Sequence, residues 1–272
     1  MPLIAGLFAA QTAPDSRRTP ILLLHGAGGS HLDWPSVSRR MTITDELLPV
    51  LAIDLAGHGK SSKPGRSTIA AHAQDVIALL DALHIPKAIV IGHSMGGAIG
   101  LTLALDFADR VAGLVLVGTG ARLRVEPAIL DNILRDPLLA ARQIAEYSWG
   151  ATAPATVRER MIARLITSDA RVLYGDFQAC NAFDVMDRLA DVHAPTLVTV
   201  GAEDRMTPPK YAEYLAAHIP NAQLAILAGG GHMIMLEQPT AFAAAVNGAV
   251  SRWLPSVTDA VNVMGVPNAS GS

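Results

Sequence analysis

Cysteine is almost absent from this chain. Of 272 residues only Cys180 is a cysteine, so no intrachain disulfide can form. That fits a reducing compartment, and a cytoplasmic protein is expected. Charge of one sign is also missing: the net charge is −3, with no basic excess to bind nucleic acid or an anionic membrane surface. No uninterrupted apolar run reaches the ~18 residues of a membrane-spanning helix. The apolar start, Met1 to Ala10, lacks a basic n-region, because Arg17 and Arg18 follow it rather than precede it. No H-E-x-x-H motif or cysteine cluster occurs, so neither a metal site nor a cofactor is expected. No internal repeat is visible.

What is present is apolar substance and a regular alternation. Half of the residues are hydrophobic, ample for one large α/β core with an inserted segment. Short β-branched runs alternate with longer helix-period stretches, the pattern of a mostly parallel sheet covered on both faces. The strand candidates are Ile21–Leu24, Val50–Asp54, Ala88–Ile91, Gly113–Val117, Pro195–Val200 and Gln223–Leu227. Thr68 is a plausible N-cap for a helix whose apolar face is Ile69, Val76, Ile77, Leu80 and Leu83. Further helices are expected after Pro208-Pro209 and from about Thr240 to Trp253.

Between about residues 121 and 190 the strand runs stop. This segment holds nine Arg against nine Asp or Glu, and five of the chain's twelve aromatics: Tyr147, Trp149, Tyr174, Phe177 and Phe183. It reads as a helical cap over a core made of residues 1–120 and 191–255. Residues 256–272 lack any period and are expected to be a poorly ordered tail.

The most telling run is Gly92-His-Ser-Met-Gly96, a G-x-S-x-G between an apolar strand and a small-residue helix. In that context it is a nucleophile elbow, a strained turn that lifts Ser94 above the sheet at a helix N-terminus. Acyl transfer by serine needs a base for the hydroxyl proton and an acid to orient that base. Loops at strand C-termini supply both: Asp204 after one strand, and His232 after the last, behind three glycines. Glu203 is the weaker candidate acid. Cys180 is read as a small buried hydrophobe, and Asp54 and His58 as turn formers.

These motifs, together with His25-Gly26, Asp54-Leu-Ala-Gly-His-Gly-Lys-Ser61 and Glu237-Gln-Pro239, resemble the α/β-hydrolase superfamily over nearly the whole chain. One departure is Ala56, where members of that superfamily usually carry proline. The resemblance implies an oxyanion hole from the amides of Met95 and Ala27, with Gly28 as second choice. His25 would then prop the oxyanion loop. Candidate pocket residues are Gly28, Trp34, His93, Tyr147, Trp149 and Phe183. The implied activity is hydrolysis of small to medium apolar carboxylic esters by the triad Ser94, His232 and Asp204. The partner is then a small-molecule ester or lactone, and a homodimer is compatible with it. Alternatives on the same scaffold are a carbon–carbon bond or enol-lactone hydrolase, a cofactor-free perhydrolase or haloperoxidase, and a non-catalytic ligand receptor. Dehalogenases and epoxide hydrolases of the superfamily carry Asp where Ser94 stands.

Overall fold

The computed structural model describes residues 3–13, 18–43 and 46–254. In chain order the strands and α-helices begin with β1 (Phe8–Thr12), β2 (Ile21–Leu24), β3 (Thr42–Ile43), β4 (Glu46–Leu47) and β5 (Val50–Asp54). Then come α1 (Ile69–Ala82), β6 (Ala88–His93), α2 (Met95–Asp106) and β7 (Val111–Val117). Four helices follow without a strand: α3 (Pro127–Arg135), α4 (Pro137–Ser148), α5 (Ala155–Thr167) and α6 (Ala170–Ala182). The chain resumes with β8 (Thr196–Gly201), α7 (Pro209–His218), β9 (Ala222–Leu227), α8 (Ile234–Glu237) and α9 (Pro239–Trp253).

Seven strands form one sheet in the order β1-β5-β2-β6-β7-β8-β9. All neighbours pair in parallel except β1, which runs antiparallel to β5. The six strands read from the sequence are all present. β1 is an addition. Its Phe8-Ala-Ala-Gln-Thr12 is the end of the apolar start of the chain and turns polar at Gln11 and Thr12, where this edge strand is only partly buried.

Period-two alternation sorts the strand residues onto two cores. Leu22, Leu24 and Val90 pack in one cluster with residues of α1, α2 and α7. Ile21, Leu23, Ile89 and Ile91 pack in the other with residues of α9 and of α3–α6. Each fully buried Leu or Ile contributes about 1.5–3 kcal/mol. At the start of α1 the Thr68 hydroxyl accepts from the Ala71 amide at 3.2 Å, a cap worth about 1 kcal/mol. Ile69, Val76 and Leu80 of that helix are buried, while Ile77 and Leu83 are only partly so.

Parallel pairing of β2, β6, β7, β8 and β9 puts their carboxyl ends on one edge of the sheet. The turn after β2, Ser94 after β6, Asp204 after β8 and His232 after β9 therefore rise from the same edge. The segment between β7 and β8 is helical throughout its α-elements, and residues of α3–α6 reach the cavity there. Residues 256–272, expected as a tail, lie outside the described residues. No helix among the described residues is long and apolar enough to cross a membrane.

Candidate active site

Ser94 sits at the N-terminus of α2 with φ 52° and ψ −116°, a conformation that costs about 1–3 kcal/mol in a non-glycine residue. The surroundings hold it there. Its amide donates to the Val117 carbonyl at 2.9 Å, and its carbonyl accepts from Gly97 N–H at 2.8 Å and Thr119 Oγ1 at 2.8 Å. Gly92 and Gly96 are the steric condition of the turn. A Cβ on Gly92 would overlap the Gly96 carbonyl, and one on Gly96 the Leu24 carbonyl.

Ser94 and His232 line one cavity of about 290 Å³. His232 Nδ1 lies 2.9 Å from Asp204 Oδ2. A carboxylate can only accept, so Nδ1 carries a proton, and in the neutral ring Nε2 keeps a lone pair. Asp204 is itself held at four points. Oδ1 accepts from the amides of Met206 at 2.9 Å and Thr207 at 2.8 Å, and Oδ2 from Thr207 Oγ1 at 2.9 Å as well as from His232. Burial alone would raise this carboxyl, but His232 and the Thr207 bonds outweigh it and hold it below its ordinary value. Glu203 points elsewhere: its carboxylate accepts from Ala151 N–H at 2.7 Å. Glu237 clamps the histidine loop, taking Gly231 N–H at 2.9 Å and Gly150 N–H at 2.8 Å.

His93 lines the cavity, but its Nε2 donates to the His232 carbonyl at 3.0 Å. Burial and the neighbouring His232 push it down to about 3, so it is neutral and steadies the histidine loop.

The turn after β2 distinguishes between its amides. Gly28 N–H donates to Asp176 Oδ2 at 2.8 Å, and Gly29 N–H to Gly26 O at 3.1 Å. Ala27 lines the cavity, and neither its amide nor that of Met95 has a partner among the described residues. His25 braces the turn: Nε2 accepts from Leu55 N–H at 3.0 Å, which leaves Nδ1 to donate to Gly26 O at 2.7 Å. Asp54 accepts from the amides of His31 at 2.7 Å and Lys60 at 2.9 Å, as a turn former should.

The pocket wall differs from expectation. Tyr147 lines it, with Ile129, Ile144, Met161, Leu165 and Phe177. Trp34 does not. It is fully buried, and its ring packs 6.3 Å from that of Phe242. Trp149 and Phe183, the C-caps of α4 and α6, are buried in the cores and do not line the cavity, which α4 meets through Ile144, Tyr147 and Ser148 and α6 through Phe177 and Cys180. Gly28 is covered by Leu165 and Leu173. Cys180 is buried at the wall, and burial pushes its thiol up, away from the nucleophilic thiolate. Sequence reasoning missed Asp176 and Thr207. Both are ordinary polar residues in sequence, and no local pattern reveals their partners.

Arg164 and Arg205, which line the cavity together with Asp33, Arg124 and Glu126, are ion-paired. Arg164 is bonded to Asp33, and Arg205 meets Glu146 at 3.0 Å while lying 5.6 Å over the Tyr147 ring. Among the described residues no group of three or more His, Cys, Asp or Glu could hold a metal ion.

The model of the alpha/beta hydrolase family matches residues 21–245. The chain is 32% identical over 248 residues to a putative carbamate hydrolase RutD of Caulobacter vibrioides, covering 84% of this chain and 89% of that protein. It is 32% identical over 244 residues to 3-oxoadipate enol-lactonase 2 of Acinetobacter baylyi, covering 86% and 90%. Among solved structures, a thermophilic esterase at 30% identity superposes with a TM-score of 0.76 over 91% of this chain and 98% of that one. A seven-stranded sheet with this turn at the end of β6, and a family match over most of its length, make the chain a hydrolase of the alpha/beta hydrolase family.

Proposed function

We propose that this protein cleaves carboxylic esters, lactones included, through a serine acyl-enzyme. The observation that carries the reading is the Asp204–His232 pair at 2.9 Å beside a cavity that Ser94 also lines. His232 Nε2 takes the Ser94 hydroxyl proton as Oγ attacks the ester carbonyl. Asp204 keeps the proton on Nδ1 and stabilises the imidazolium. The carbonyl oxygen becomes an oxyanion held by the amides of Ala27 and Met95, each such donor worth roughly 3–4 kcal/mol. The alcohol leaves with the proton from His232. Water, deprotonated by the same histidine, then releases the acid.

The apolar wall supports an apolar acyl or alcohol group. The pairing of Arg164 with Asp33 and of Arg205 with Glu146, together with the opposite signs of Arg124 and Glu126 on the same lining, supports neutral substrates over charged ones. Similarity to an enol-lactonase favours cyclic esters as a second substrate class, and similarity to a putative carbamate hydrolase adds carbamates to the panel. The test is a hydrolysis screen over p-nitrophenyl esters of graded acyl length, lactones and aryl carbamates, with Ser94→Ala as the blank. Ester or lactone turnover that vanishes in the blank is expected. Turnover of neither class, or equal turnover by Ser94→Ala, refutes the proposal.

A further inference from the structure

Asp176 lies on α6 and is completely buried, yet no step of the chemistry above uses it. Its Oδ2 accepts from Gly28 N–H at 2.8 Å and from His58 Nε2 at 2.8 Å. His58 donates from its other nitrogen to the Ala56 carbonyl at 3.1 Å. With Asp176 ionised, both acceptors are oxygens without a proton to offer, so both ring nitrogens carry hydrogen and the imidazole is cationic. Its titration is shifted in the same direction. Burial disfavours the charged form, but Asp176 outweighs it and the histidine is raised above its ordinary value. The pair is therefore close to neutral as a unit. It can sit near a developing oxyanion without opposing it.

Gly28 belongs to the turn Gly26–Gly29, closed by Gly29 N–H on Gly26 O at 3.1 Å. Gly28 has φ +63°, while Ala27 is not among the positive-φ residues. A positive φ at the third position alone is the type II arrangement, which differs from type I by a flip of the central peptide. Gly28 N–H is the amide of that central peptide. His25 and Gly29 hold the preceding peptide through the Gly26 carbonyl, and in a trans peptide the Ala27 N–H points the opposite way.

We propose that Asp176 is a positioning residue for the oxyanion hole: its carboxylate pins the central peptide of the Gly26–Gly29 turn and so keeps the Ala27 amide aimed into the cavity. The inference rests on the serine-hydrolase reading. It ties the inserted helices to the chemistry as well as to the pocket wall, since α6 supplies the carboxylate and α5 and α6 together cover Gly28 with Leu165 and Leu173. An oxyanion donor acts on the transition state and not on the bound ester, so its misalignment lowers kcat and spares KM.

The experiment compares wild type, Asp176→Ala, Asp176→Asn and Ser94→Ala. It measures kcat and KM on the best ester, and the Ki of the matching trifluoromethyl ketone, which adds to a serine to give a bound oxyanion. Asp176→Ala should lower kcat about 10- to 100-fold, part of the roughly 10²–10³-fold loss on deleting a donor outright. KM should stay within about threefold, and ketone affinity should fall with kcat. Asp176→Asn keeps an oxygen for Gly28 and should restore most of kcat and of the ketone affinity. A folded Asp176→Ala with wild-type kcat overturns the proposal, as does a lost kcat with unchanged ketone affinity. If the alanine protein does not fold, the asparagine protein decides through hydrogen exchange at the Gly28 amide. Protection retained together with tight ketone binding supports the proposal, and protection lost without loss of ketone affinity overturns it. Full activity in Ser94→Ala would instead sink the serine reading beneath it.

Discussion

Asp204→Asn isolates the role of the acid, because the loop leaves asparagine one orientation. In the wild type Oδ1 accepts from two backbone amides, Met206 at 2.9 Å and Thr207 at 2.8 Å. An asparagine must put its oxygen there, since an NH2 group facing two N–H donors would leave all three unpaired. Its NH2 then takes the place of Oδ2 and faces His232 Nδ1. That nitrogen must become the acceptor, and the proton moves to Nε2, where the Ser94 hydroxyl needs a lone pair. The fold is preserved and the tautomer is wrong. Such a change costs about 10⁴ in kcat, or about 5 kcal/mol at roughly 1.4 kcal/mol per decade. Glu203→Gln loses at most the Ala151 amide bond at 2.7 Å, on an exposed backbone group, and should cost less than about threefold. The assay is kcat on a p-nitrophenyl ester, with circular dichroism to verify folding. An Asp204→Asn protein within tenfold of wild type, or a larger loss from Glu203→Gln, would refute the tautomer argument.

Ser94→Gly should abolish turnover and raise stability by about 1 kcal/mol, because glycine accepts φ 52° without strain; a urea midpoint at or below that of wild type counts against stored strain. Phe177→Ala should widen the cavity and shift preference toward longer acyl chains, whereas Phe183→Ala, off the wall, should leave selectivity alone; both side chains are buried in the cores, so each loss should cost about 3–5 kcal/mol of stability. Acyl-length profiles separate the two, urea curves check the shared stability cost, and the reverse selectivity assignment would show the wall to be misplaced. Because Asp204 is held below its ordinary value in the fold, its stabilisation is full above the unfolded carboxyl value and is lost as pH falls through the lowered folded value; stability curves in acid should be flatter for Asp204→Asn. His58 is raised, so its contribution is present below the unfolded histidine value and is lost as pH rises through the folded one. Asp176→Asn should flatten stability on that side, and an unchanged slope would detach His58 from Asp176.

The sequence by itself determined the architecture and the strand-turn-helix geometry at Ser94. Runs such as Ile21–Leu24 and Ala88–Ile91 are apolar at every position, and only a strand buried on both faces needs that. The Thr68 cap opens α1 by local hydrogen bonding, which is a matter of near neighbours. The residue types of the elbow stand within two places of Ser94, so the motif is legible in a single window, although the backbone that Gly96 must clear, at Leu24 and His25, is brought there only by folding. The walls of the pocket are different. Periodicity tells that Tyr147, Trp149 and Phe183 lie in or beside helices, but not which apolar face meets the cavity and which meets a neighbouring helix. That choice depends on how α3–α6 pack, and it put Tyr147 on the wall and the other two in the cores. Asp176 is the clearest case. It lies 148 residues from Gly28 and 118 from His58, and its carboxylate has meaning only where folding brings those donors together in a site without water to replace them.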